Sequence, residues 1–145
     1  MIKEYFRFLP HTADVKFQAM GRTVENCFEH AALAMTAVML KGSFQGRSRK
    51  QSLHVRAKDY EGLLYRFLEE LIYLLDTQNF IVEKCKLSIE EQLGNFSLKG
   101  VLHGRKASKQ ELSIIVKAAT YHEMFVKQNI VDGKKQWISQ VVLDV

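Results

Sequence analysis

Apolar positions in the first half of the chain switch between a spacing of two and a spacing near that of a helix. Glu4 to Leu9 is a short aromatic-rich run ending at Pro10, which reads as a strand and its stop. Val15 to Met20 alternates, with Val15, Phe17 and Ala19 on one side and Lys16, Gln18 and Met20 on the other, so a second strand is expected there. Gly21-Arg22 breaks it. Thr23 is a good N-cap with Glu25 in the first turn, and Val24, Cys27, Phe28, Ala31, Met35, Val38 and Met39 then recur at helical spacing to about Leu40. Lys41 to Lys50 reads as a basic loop, and Gln51 to Ala57 alternates as a strand around Leu53 and Val55. Asp59 caps a second helix with a wide stripe of Leu63, Leu64, Phe67, Leu68, Leu71, Ile72 and Leu75, while Glu61, Glu69 and Glu70 lie mostly off it. A stripe this wide suits packing on a sheet.

From Phe80 onward the pattern is nearly all strand: Phe80–Ile89, Asn95–Leu102, Leu112–Ala118, Tyr121–Val131 and Lys134–Asp144. Asp132-Gly133 is a strong two-residue hairpin signal. A type I′ turn there puts Val131 opposite Lys134, and the same register carried on puts Met124 opposite Val141, His122 opposite Leu143 and Tyr121 opposite Asp144. Met124, Val126, Trp137, Val141 and Leu143 then form a core face. Tyr121, Glu123, Gln140 and Asp144 form the more polar one. The expected fold is α+β, two helices packed on a mainly antiparallel β-sheet, in a single compact domain over residues 1–145.

Composition narrows the class without naming a function. The chain has 145 residues, 47% hydrophobic and 26% charged, enough for a core without staples and unlike a disordered chain. No apolar run is long enough to span a membrane, and Met1-Ile2-Lys3-Glu4 has no apolar leader, so a cytoplasmic protein is expected. Its two cysteines, Cys27 and Cys85, offer no disulfide framework and suit a reducing compartment. The net charge of +5 is compatible with an anionic partner such as RNA. The basic segments are Lys41–Lys50 and His103 to Lys109. Phe44 is the one aromatic in the first, so no stacking platform for single strands is indicated.

Few polar residues mark chemistry. His11-Thr12-Ala13-Asp14 lies between the first two strands, where an Asp is most often a turn former. With a second acid nearby it becomes half of a hard-cation site, and Asp144, beside the terminal residue Val145, is the candidate. Two carboxylates plus carbonyl oxygens suit Ca²⁺, Mg²⁺ or Mn²⁺. The five histidines are scattered, with none paired at His-x-x-x-His spacing, which argues against zinc. Cys27 falls on the apolar stripe of the first helix. Lys117 interrupts Ile114-Ile115-Val116 and Ala118-Ala119, as either an edge-strand gatekeeper or an ammonium turned toward the acids. No glycine-rich phosphate loop is present.

Phe8-Leu9-Pro10-His11-Thr12-Ala13-Asp14-Val15, followed by Gly21-Arg22-Thr23-Val24-Glu25-Asn26-Cys27-Phe28, resembles the N-terminal signature of the archease family. Val116-Lys117-Ala118-Ala119-Thr120-Tyr121-His122-Glu123-Met124 resembles the second signature of that family. Val142-Leu143-Asp144-Val145 resembles its terminal one, and Leu63 to Asp76 resembles its middle helix. The motifs occur in order across nearly the whole chain.

The resemblance implies a non-enzymatic accessory protein of an RtcB-type tRNA-splicing RNA ligase. Such a protein promotes transfer of GMP from GTP to the ligase's active-site histidine and supports multiple turnover, with at most weak or indirect contact to tRNA. It also implies a divalent metal site at Asp14, Asp144 and the Val145 main chain, and roles in activation for Lys117 and His11. Two positions depart from the family pattern: Pro10 and Ser113-Ile114-Ile115 stand where acids are usual, which thins the negative field around a cation. The rival readings are a basic RNA-binding module and a chaperone-like interaction domain.

Overall fold

The computed structural model describes residues 5–42 and 45–145. Glu4, at the start of the expected first strand, and Phe44, in the first basic segment, lie outside the described residues, as does the N-terminal stretch read for a leader. The order is β1 (Phe6–Leu9), β2 (Val15–Gly21), α1 (Val24–Met39), β3 (Ser48–Ala57), α2 (Tyr60–Gln78), β4 (Phe80–Gln92), β5 (Asn95–Lys106), β6 (Ala118–Val131) and β7 (Lys134–Asp144). The fold is α+β. All strand pairs are antiparallel, and the strands divide into two sheets, β1-β2-β7-β6 and β3-β5-β4.

Both helices form where their stripes begin and end. The Thr23 hydroxyl accepts from the Asn26 N–H at the start of α1, and the Asp59 carboxylate accepts from the Gly62 N–H at the start of α2. α2 stops at Asn79, which takes the left-handed conformation at φ 56°. Gly21 is required by the close approach of α1, since a Cβ there would lie 2.4 Å from the Cys27 nitrogen. α1 touches β1, β2 and β7 of one sheet and β4 of the other, while α2 touches β6 of the first and β3, β4 and β5 of the second. Phe28 of α1 stacks on Phe67 of α2, with ring centroids 6.3 Å apart. One continuous core, including Phe17, Phe28, Met35, Phe67, Leu98 and Leu143, joins both sheets and both helices.

Carboxylates of the helices cover the sheet edges. β4 and β6 are edge strands, and their outward N–H groups need acceptors. On α1, Glu25 and Glu29 accept from Ile89 (3.3 Å) and Leu87 (2.9 Å) of β4. Four residues of helix and two of strand each rise by about 6–7 Å, so the pairs match in spacing. On α2, Glu61 and Glu69 accept from Val126 (3.2 Å) and Ala119 (2.8 Å) of β6.

That second clamp explains a register the hairpin rule misses. The Asp132-Gly133 turn is type I′, with φ of 53° and 77°, and Val131 opposes Lys134 as expected. The expected register holds back to Phe125↔Gln140 and then shifts, so that Thr120 opposes Val142 and Ala118 opposes Asp144. Met124–Val141, His122–Leu143 and Tyr121–Asp144 are therefore not pairs. From Glu61 to Glu69 the helix rises about 12 Å. Val126 and Ala119 sit against Ser139 and Leu143, four β7 residues apart, which is also about 13 Å. The extra β6 residues have to bulge.

Leu112–Ala118 is not a strand. Ser108 and Glu111 form a capping box around a 3₁₀ turn at Lys109–Glu111. Leu112 then forms an isolated bridge with Leu40, and the Ser113 N–H donates to Met39 O at the end of α1. Val116 is buried, but Ile115 is 74% exposed. The second basic segment is likewise only partly a loop, since His103 to Lys106 pairs within β5. β3 begins at Ser48, inside the first basic segment.

Candidate functional site

The end of the first sheet gathers residues from both ends of the chain. After β1, the chain turns tightly: the Asp14 N–H donates to Thr12 O at 2.8 Å across Ala13, whose φ is 70°. This is a γ-turn in its rarer, strained form, of a kind that persists only where its surroundings hold it. β2 then pairs with β7 from Val15↔Leu143 onward, so one further step brings Asp14 level with Asp144. The Lys117 N–H donates to Asp144 O at 2.8 Å, and Ala118 pairs with Asp144. Asp14, Lys117, Asp144 and Val145 thus share one end of one sheet. The Asp144 side chain is exposed, Asp14 and Val145 are half-buried and Lys117 is exposed. Lys117 forms no ion pair among the described residues and is a loop residue ahead of β6, not an edge-strand one.

Beside this end the β6 bulge presents a second polar group. Glu123 sits at φ 54°. Its carboxylate takes Lys16 Nζ at 2.9 Å, His122 Nε2 at 3.0 Å and His11 Nε2 at 3.5 Å. The Lys16 hydrogen bond is the main cause holding the Glu123 carboxyl below the usual carboxylate range. A row of amides crosses the sheet to fix the bulge. Arg7 can only donate, so Gln18 Oε1 accepts from it, and Gln18 Nε2 donates to Gln140 Oε1 at 2.9 Å. Gln140 Nε2 then donates to the Glu123 carbonyl at 2.8 Å. Gln18 and Gln140 are both buried.

Of the residues expected from sequence, His11, Asp14, Lys117, Asp144 and Val145 all fall at this end. Glu123, Lys16 and His122 were not singled out as part of it; the signals were the polar face that the alternation gives Lys16 and Gln18 of β2 and Glu123, Gln140 and Asp144 of the last hairpin, and the place of His122-Glu123 in the second signature segment. Asp14, Asp144 and the Val145 main chain offer oxygen donors of the type that a hard divalent cation such as Ca²⁺, Mg²⁺ or Mn²⁺ takes, and the β2–β7 register sets them at one strand end. Among the described residues, no helix is long and apolar enough to cross a membrane.

The chain is similar to known proteins over nearly its whole length. Residues 6–145 match the model of the Archease protein family. "Protein archease" of Sulfolobus acidocaldarius is 39% identical over 142 residues, covering 97% of this chain and 98% of that one. "Protein archease" of Pyrococcus furiosus is 36% identical over 137 residues, covering 93% and 94%. The solution structure of Methanobacterium thermoautotrophicum protein 1598 superposes with a TM-score of 0.81 at 33% identity, covering 97% of this chain and 99% of that one. Sequence, fold and the convergence of its three signature segments at one sheet end agree: this chain belongs to the archease family.

Proposed function

We propose that this chain is a cytoplasmic, non-enzymatic activator of an RtcB-type tRNA-splicing RNA ligase, raising the rate of ligase guanylylation and supporting multiple turnover. The observation that carries the reading is the convergence of Asp14, Lys117 and Asp144, one from each signature segment, at one sheet end. Guanylylation requires a histidine, the GTP α-phosphate and metal ions held in line, so positioning and charge dominate the rate. A divalent cation bound by the carboxylates would supply positive charge for phosphate oxygens. Asp14 and Asp144 present two carboxylates on a rigid ladder end. Lys117 offers an exposed ammonium to a phosphate or to an acid of the ligase, while its main chain is pinned to Asp144. His11 stands at the start of the same turn, held toward Glu123.

The test separates folding from function. Lys117→Ala removes an exposed side chain and is expected to change unfolding free energy by no more than about 0.5 kcal/mol. It is expected to abolish stimulation of ligation. Full stimulation by a folded Lys117→Ala protein would sink the role given to this end of the sheet.

One observation favours a second reading, direct RNA contact. The outer face of the second sheet carries Lys50, His54, Arg56, Lys84, Lys86 and Lys99, all exposed, with His54 opposite Lys99 and Lys50 level with Lys84 across His103. Lysine and arginine charges gathered on one sheet face are a cost that a polyanion would relieve. Fluorescence anisotropy with tRNA, without ligase, would favour this reading if binding is tight and weakens steeply with salt.

A further inference from the structure

Neighbouring residues of a strand point to opposite faces. His122 and Glu123 are neighbours, yet His122 Nε2 lies 3.0 Å from Glu123 Oε2. The β6 bulge and the left-handed Glu123 backbone make that possible. His11, from the β1–β2 connection, brings its own Nε2 to 3.5 Å from the same oxygen. The two imidazoles are edge-on, with centroids 6.0 Å apart, and the three ligand-type atoms all lie within 4.8 Å of one another.

The two spacings to Glu123 Oε2 approach those of a coordination shell. Ligands at roughly 2.0–2.1 Å from a tetrahedral zinc ion stand about 3.3 Å from each other. The two separations to Glu123 Oε2 lie on either side of that value. The other oxygen, Oε1, is engaged by Lys16 at 2.9 Å, and the Glu123 carbonyl is held by Gln140, so outer partners already orient the carboxylate. His11 Nδ1 is buried with no hydrogen-bond partner. Nε2 is therefore the ring nitrogen that meets a partner, and it is aimed at the carboxylate oxygen. His122 is 65% exposed, which leaves the fourth position open to water or an exogenous ligand.

We propose that His11, His122 and Glu123 form a binding site for a borderline divalent transition-metal ion of the zinc class. It is distinct from the all-oxygen Asp14–Asp144 end, because imidazole donors select Zn²⁺, Co²⁺ or Cu²⁺ over Ca²⁺ and Mg²⁺. The metal would tie the β1–β2 turn to the β6 bulge. This inference does not rest on ligase activation and is tested on the isolated protein.

Chelator-treated full chain is titrated with Co²⁺ and, separately, with Zn²⁺. The expected result is the visible absorption of tetrahedral Co²⁺, displaced by Zn²⁺, and a rise in thermal midpoint with Zn²⁺. His122→Ala and Glu123→Gln are each expected to weaken Zn²⁺ binding by at least the roughly 100-fold that loss of an outer partner of a ligand can cost, while Asp14→Asn leaves it unchanged. His11→Asn serves as a second ligand variant, with circular dichroism checking that each variant is folded. Absence of the Co²⁺ band with no Zn²⁺ response overturns the site. So does a Zn²⁺ response that persists in folded His122→Ala and His11→Asn proteins, which would assign the metal elsewhere.

Discussion

At the scale of single residues, three groups have chemistry set by their surroundings. Burial pushes the Cys27 thiol up to about 11 and the Cys85 thiol up to about 12, the latter with help from Glu29. Cys27 also donates to Ala19 O at 3.3 Å. Only thiolate reacts with alkylating reagents, so neither cysteine is expected to be modified in the folded protein near neutral pH. Mass spectrometry after iodoacetamide treatment, with and without urea, checks this, and rapid modification of native Cys27 would contradict it. Glu111 is held below the usual carboxylate range chiefly by the Ser108 N–H, with the Gln45 N–H also donating to it. A depressed folded-state pKa stabilises the protein above the unfolded value and loses that contribution as pH falls through the folded one. Glu111→Gln is therefore expected to destabilise at neutral pH and to converge with the parent in acid, as read by urea unfolding at a series of pH values. A gap that widens in acid would contradict it.

At the scale of elements, turns and edges set the register. Leu93-Gly94 joins β4 to β5 with φ of 54° and 78°, and Leu93 is 96% exposed. Leucine gains no burial there and bears the left-handed penalty, whereas Asn-Gly suits a type I′ turn. Leu93→Asn is expected to stabilise by about 1 kcal/mol in denaturant unfolding. Glu69 accepts from the β6 edge, so Glu69→Ala is expected to cost about 1.5–3 kcal/mol, and Glu70→Ala much less. Equal costs would show that the edge clamp is not used. These features also mark where reading from sequence stops. The stripes of α1 and α2 were legible because a helix buries what its own period dictates, and Asp132-Gly133 because its turn chemistry is local. The β6 bulge was not, because it is imposed by Glu61 and Glu69 on a helix distant in sequence. Ile114 and Ile115 looked like strand because hydrophobicity says nothing about which backbone partner is free. In the fold, that segment bonds to the end of α1.

At the scale of the whole molecule, two sheets and two helices enclose one core, and the candidate site lies at the end of one sheet. The members of that end were legible through the resemblance of three segments to family signatures. Composition and periodicity alone left Asp14 a turn former and Lys117 an edge residue. Glu123 and its contacts with His11, Lys16 and His122 were hidden because strand alternation puts neighbours on opposite faces, and only the bulge brings them together. If Asp14 and Asp144 serve one site, Asp14→Ala and Asp144→Ala should each remove most of the ligase stimulation, and the double variant little more. Additive losses in stimulation assays would place them in separate sites. The central claim, that this chain accelerates nucleotidyl transfer to a partner ligase, is tested most directly by following radiolabel from α-labelled GTP onto an RtcB-type ligase. The assay is run with and without sub-stoichiometric amounts of this protein. The expected result is faster guanylylation and ligation that continues past one turnover, while an unchanged rate of guanylylation would contradict the claim.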